Sequence, residues 1–142
     1  MNHNDFFAKV DASLRKETDA AALESAAKGL EFVKQVIARL TPVAASYEAQ
    51  LKKRKINAKA DYSPTGITFT LRYKDGDENE LYVGGVTGSD LIELNTSYTE
   101  SDNKYAATRS YNSIKWSDDF FEIRLQRLID DFVRYEDKHS GI

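Results

Sequence analysis

The hydrophobic period of this chain changes once along its length, and that change limits the folds open to it. From Leu23 the apolar positions Leu23, Ala26, Leu30, Val33, Ile37 and Leu40 recur in steps of three and four, with Phe32 and Val36 widening the stripe. That is the spacing of one helix face. After Lys55 the period becomes two: Ile56, Ala58, Ala60 and Tyr62 share one face, and Ile67, Phe69, Leu71 and Tyr73 alternate with Thr68, Thr70 and Arg72. A period of two belongs to strands with one buried face. A helical half followed by a strand half buries both apolar sets by laying helices on a sheet.

The rest of the chain fills in that plan. Phe7, Val10 and Leu14 predict a short first helix behind an Asn4 cap, broken by the polar run 15–19. Thr41 and Pro42 predict a restart, Thr41 as cap and Pro42 in the first helical position, with the phase continuing through Ala44, Tyr47 and Leu51 to an end near Lys55. Turn residues at 63–66, 74–79, 88–90 and 100–103 separate five alternating runs, the last carrying Tyr105, Ala107, Arg109 and Tyr111. Short connections of this kind predict an antiparallel meander. Ser117 ahead of Asp118 and Asp119 marks a helix start, Phe121, Leu125, Leu128, Ile129, Phe132 and Tyr135 form its apolar face, and Trp116, Phe120 and Ile123 point elsewhere. That helix should close near Lys138 and His139, with Gly141 and Ile142 frayed.

The expected fold is therefore α+β, a single domain over residues 1–142: helical from 1–55, an antiparallel sheet over 56–112 and an amphipathic C-terminal helix over 117–139, with the helices packed on one face of the sheet. The other face would display Thr68, Thr70, Arg72, Tyr82, Glu93, Asn95, Ser97, Thr108 and Ser110. With 142 residues, 41% of them hydrophobic, the chain can fill one core. No apolar run approaches the roughly 20 residues of a membrane span, and the start lacks the basic and apolar regions of a secretory signal, so a soluble cytoplasmic protein is expected.

Composition narrows the chemistry. The absence of cysteine removes disulfides, thiolate nucleophiles and cysteine-ligated zinc, and suits a reducing compartment. His3 and His139 fall in segments expected to fray, so neither is placed to act as a base or a metal ligand, and no catalytic residue, metal site or cofactor is expected. Asp118 with Asp119, and Asp130 with Asp131, are sequence neighbours whose side chains diverge on a helix. Asp75, Asp77 and Asn79 imitate the opening of a calcium loop, but Glu80 stands where such a loop needs glycine and Val86 where it needs an acid. Gly84, Gly85 and Gly88 lack the Lys-Ser/Thr ending of a phosphate loop and read as a bulge or tight turn.

Two features point to binding. Tyrosine is abundant, 8 in the chain, and Tyr82, Tyr98 and Tyr105 are expected to form a partner-binding surface, because a tyrosine ring buries area while keeping a polar tip. Lys52, Lys53, Arg54 and Lys55 form one basic cluster, and Arg124, Arg127 and Arg134 another; joined, they would meet phosphates despite the net charge of −3. The reading is a non-catalytic protein-binding module, a small regulator, inhibitor or adaptor. The alternatives are a nucleic-acid-associated regulator using the two basic clusters, and a small-ligand carrier or enzyme with a pocket between sheet and helices. The width of the helical stripe over 23–51 also predicts a homodimer with helices at its interface.

Overall fold

The computed structural model describes the backbone of residues 3–100 and 103–139, and the side chains of residues 7–9, 23–99 and 103–139. Gly141 and Ile142, hairpin residues 101 and 102, and the side chains of His3, Val10 and Leu14 lie outside the described residues. The chain begins with one helix, α1 (His3–Lys53), of 51 residues, about 75 Å long at 1.5 Å per residue. This corrects the expected short helix, the break at 15–19 and the restart at Thr41–Pro42; the backbone of Asn4 lies inside α1.

The helix passes through Pro42 because the defect lies on its wet side. Pro42 and Ala38, whose carbonyl loses its intrahelical N–H partner, are both exposed, so water can serve that carbonyl. Thr41 Oγ1 donates to the Ile37 carbonyl at 2.8 Å. The helix ends in a Schellman turn: Ile56 N–H donates to Leu51 O at 3.1 Å and Lys55 N–H to Lys52 O at 3.0 Å, with Lys55 in the left-handed region at φ 62°.

Five strands follow in the order β1 (Asn57–Ser63), β2 (Gly66–Arg72), β3 (Glu78–Gly85), β4 (Ile92–Glu100) and β5 (Asn103–Tyr111), each paired antiparallel to the next. The register sets Ala60, Phe69, Leu81, Thr96 and Ala107 in one row and Thr68, Tyr82, Asn95 and Thr108 in another. Side chains alternate faces, so the first row lies under the helices and the second on the far side. All the residues expected on the polar face lie there. Tyr82 folds back along that face over two glycines: a Cβ on Gly84 would overlap the Tyr82 hydroxyl, and one on Gly66 would stand 3.1 Å from its ring. Gly84 is thus cover for a tyrosine rather than a phosphate cradle, and Gly88, at φ 80°, makes the turn into β4.

Both helices cover the inner face. Val33, Val36, Ile37, Leu40, Ala44 and Leu51 of α1 and Phe121, Leu125, Leu128 and Phe132 of α2 (Asp119–Arg134) close over Ile67, Phe69, Leu71, Leu81, Val83, Ile92 and Leu94 as one core. Each such side chain contributes about 1.5–3 kcal/mol by leaving water. Arg39 donates to both carboxylate oxygens of Asp118, at 2.7 and 3.1 Å, and Gln126 Nε2 donates to the Tyr47 hydroxyl at 2.9 Å. Both pairs span 79 residues, so the two helices run in the same direction side by side. At Gly29 the backbone of α1 meets the β3–β4 turn: a Cβ there would stand 2.6 Å from the Ser89 carbonyl carbon and 3.0 Å from the Asp90 nitrogen.

The last helix differs from expectation at both ends. Asp118, not Ser117, occupies the cap position and makes no capping bond with its side chain, because its carboxylate is taken by Arg39 and by the Trp116 indole N–H at 2.8 Å. Trp116 and Phe120 pack around Tyr111, while Ile123 is exposed. The helix stops at Arg134, and Glu136–His139 forms a separate 3-10 turn, η1. His139 is not frayed: it is buried, held by contacts described below.

Candidate functional site at the open edge of the sheet

The sheet has two edges, and the helices treat them differently. α1 lies along β1, β2 and β3, and α2 over β3 and β4. On β1 the Ala60 N–H points away from β2 and donates to Glu48 Oε2 of α1 at 2.6 Å, and Ala58 is buried, so the middle of that edge is held by α1 while residues 57, 59 and 61–63 stay exposed. On β5 residues 103–110 are exposed on both faces. In an antiparallel pair alternate residues turn their N–H and C=O groups toward or away from the neighbour. Counting from the Glu100↔Asn103 pair beside the hairpin, Lys104, Ala106, Thr108 and Ser110 turn theirs outward, as Ala60 does on β1.

The inner face beside this edge brings together Tyr98 and Tyr105, with Arg124 and Arg127 nearby, out of the basic and aromatic groups that sequence reasoning had singled out. Tyr105 stands opposite Tyr98 across the β4–β5 ladder and is 55% exposed. Tyr98 points under α2, and its hydroxyl donates to Asp131 Oδ2 at 3.2 Å. Burial pushes the Tyr98 phenol above its ordinary value, the Asp131 charge adds to this, and Arg124 and Arg127 are near enough to oppose it. Arg124 Nη1 also donates to Thr96 Oγ1 on β4 at 2.9 Å. Arg109, opposite Leu94, adds a third guanidinium from β5 itself.

Other expected site residues lie elsewhere. Tyr82 is on the opposite face of the sheet and is half-buried over its glycines, so Tyr82, Tyr98 and Tyr105 do not share one surface. Lys52, Lys53, Arg54 and Lys55 end α1 on the other flank of α2. Arg54 Nη1 donates to the Gln50 carbonyl at 2.8 Å, and Arg54 and Lys55 line a cleft of about 310 Å³ with Arg72, Lys74, Val133 and Glu136. Arg134 is exposed and, by helical phase, shares the crest of α2 with Arg127, about two turns farther along the helix. The fold therefore does not join the two basic clusters. Arg109 was missed, although the signal was legible: it falls in the same phase as Tyr105, Ala107 and Tyr111, and a guanidinium there marks a stretch of inner face that no helix covers.

A second locus joins the β2–β3 hairpin to η1. Phe132, Tyr73 and His139 form a stack with ring centroids 4.1 and 3.8 Å apart. His139 Nδ1 lies 2.7 Å from Asp75 Oδ2 and 3.2 Å from Asp77 Oδ2. The Asp77 N–H, donating to Asp75 Oδ1 at 2.9 Å, and secondarily His139, hold the Asp75 carboxyl below its ordinary range. Asn79 turns inward and donates to the Tyr73 hydroxyl at 3.4 Å. A cleft of about 390 Å³ opens beside the histidine, lined also by Tyr98, Asp131 and Lys138.

No protein-family model, curated protein or solved structure matches the chain.

Proposed function

We propose that this chain is a protein-binding module that receives an extended, acidic segment of a partner on the free edge of β5. The observation that carries the reading is the contrast between the edges: the middle of β1 is engaged by α1 through Glu48, whereas β5 is exposed along the whole of residues 103–110 and its charged side chains are Lys104 and Arg109. An added strand would bond to the outward main-chain groups of Lys104, Ala106, Thr108 and Ser110, each bond contributing about 0.5–1.5 kcal/mol net. Its alternate side chains would face Arg109 and, beyond it, Arg124, which favours acids at every second position. An exposed edge with no such partner is an aggregation hazard.

The test is fluorescence polarisation with a labelled ten-residue peptide of alternating Glu and Thr. Binding should weaken as salt rises, since the exposed charge pairs are screened. Ala106→Pro removes one outward N–H and spares the β4 ladder; it should keep the fold by circular dichroism and lose the peptide. Arg109→Glu should weaken binding at least about tenfold, on the order of one like-charge replacement at a close pair. Unchanged binding by a folded Ala106→Pro variant, or no binding by the wild type at 50 mM salt and about 1 mM protein, would sink the proposal.

A separate observation supports a homodimer through α1. Leu23 is 72% and Leu30 46% exposed, one heptad apart on a helix, above an apolar cleft of about 360 Å³ lined by Ala26, Ala27, Leu30, Val33 and the β3–β4 turn. The rest of the stripe needs no partner, because Val36 and Ile37 are spent on the core and Phe32 packs at its margin. Sedimentation at micromolar concentration should give twice 16.1 kDa, reverting to the single mass with Leu23→Asp and Leu30→Asp; a wild-type mass of 16.1 kDa rejects the dimer.

A further inference from the structure

We infer that Asp75, Asp77 and His139 form a binding site for a divalent transition-metal ion of zinc-like preference. The site does not depend on the reading of the β5 edge. Its potential ligand atoms come from a hairpin and from the C-terminal turn 64 residues later, and all lie within 4.8 Å of one another.

The arrangement around one nitrogen is the main argument. Nδ1 of His139 has two carboxylate oxygens beside it, at 2.7 and 3.2 Å, yet a ring nitrogen carries at most one hydrogen and can direct it at one of them. A cation bonded at about 2.0–2.1 Å to all three atoms would set them about 3.0–3.3 Å apart. Both distances from Nδ1 come close to that spacing before any ion is present. A rotation of the exposed Asp75 side chain would bring its oxygen toward that of Asp77, from which it lies no more than 4.8 Å away.

The ligands are also held from behind. The His139 ring is stacked on Tyr73 with 12° between planes, and Tyr73 is stacked in turn on Phe132, which fixes the direction of Nδ1. Asp75 commits Oδ1 to the Asp77 N–H, leaving Oδ2 for the site. Such outer contacts orient metal ligands and commonly govern affinity. One imidazole and two carboxylates suit zinc, cobalt or nickel rather than calcium, which takes six to eight oxygens. Three protein ligands leave at least one position open, where water or an anionic ligand could complete the shell.

Titration calorimetry of the full chain with zinc chloride tests this, with calcium chloride as the contrast. Expected are one zinc per chain with a Kd at or below about 10 µM, no comparable calcium binding, and a rise in melting temperature with zinc. Asp77→Asn and His139→Gln should each weaken zinc at least about tenfold. Replacing zinc with cobalt(II) should give a visible ligand-field band that both variants lose. Should His139→Gln fail to fold, Asp77→Asn carries the same reading from the hairpin side. Wild-type zinc binding weaker than about 1 mM overturns the inference and leaves a proton-bridged latch. Binding that survives Asp77→Asn, or that is lost only with His3→Ala, overturns it as well.

Discussion

Gly29→Ala separates two forces that predict opposite signs. Within a helix, alanine is more favourable than glycine by about 1 kcal/mol, so an unencumbered position would gain stability. Here the new methyl would lie 2.6 Å from the Ser89 carbonyl carbon, well inside normal contact, and α1 cannot simply lift away. One turn later Val33 is pressed on Gly85, whose Cβ would stand 2.7 Å from Val33 Cγ1. Relief must come from the β3–β4 turn, and overpacking of this kind costs about 1–3 kcal/mol. The net expectation is a loss of about 1 kcal/mol, or roughly 3 °C in melting temperature for a chain of this size. Urea unfolding followed by the fluorescence of Trp116, the single tryptophan, measures it. A variant more stable than the wild type would refute the seating of α1 on this turn.

Further substitutions probe the other local features. Pro42→Ala should stabilise by about 1–3 kcal/mol, because it returns an N–H to the Ala38 carbonyl; a lower urea midpoint would count against a continuous α1. Lys55→Gly should add about 1 kcal/mol by relieving the left-handed backbone at φ 62°, and a destabilised variant would contradict the Schellman ending. The Arg39 guanidinium, with help from the Trp116 indole, holds the Asp118 carboxyl below its ordinary value. Its contribution is therefore present above about pH 4 and is lost as pH falls through the depressed value. A double-mutant cycle with Arg39→Ala and Asp118→Asn should give a coupling of at most about 1 kcal/mol at pH 7, given the exposure of both side chains, and one that persists undiminished at pH 2 would be inconsistent with the pair. Gly84→Ala should destabilise the wild type more than it does a Tyr82→Ala background, because the tyrosine hydroxyl is what the new methyl meets; equal costs would show that Tyr82 does not lie there.

The sheet was legible in the sequence because its cues are local. Alternation such as Ile67, Phe69 and Leu71 against Thr68 and Thr70 assigns each residue to a face without knowledge of the partner strand, and short turns force neighbours to pair. The helical third was legible in type but not in continuity. Thr41 with Pro42 carries the same letters whether it starts a helix or sits within one, and the outcome turned on whether Ala38 would face water, which depends on where the sheet lies. The end of α2 was misread for a similar reason. His139 has few sequence neighbours to hold it, and what orders it is a stack on Tyr73 and two carboxylates from a hairpin 64 residues away.

The proposed binding surface shows the same division between local and distant information. Tyr105 was identifiable because aromatic residues on strands suit half-wet faces, but tyrosine type alone could not distinguish it from Tyr98, which α2 covers, or from Tyr82, which shields glycines. The deciding quantity is how far the helices reach across the sheet. Two helices about 10 Å wide, set side by side from β1, span roughly four strands at about 4.8 Å spacing, so a fifth strand must lie beyond their cover. A fifth strand with an apolar inner face would then be a defect. β5 instead offers Tyr105, Ala107 and Arg109 there, and this fit between an uncovered position and a wettable, positively charged strand keeps the edge from being a fault in the fold and motivates the proposed partner.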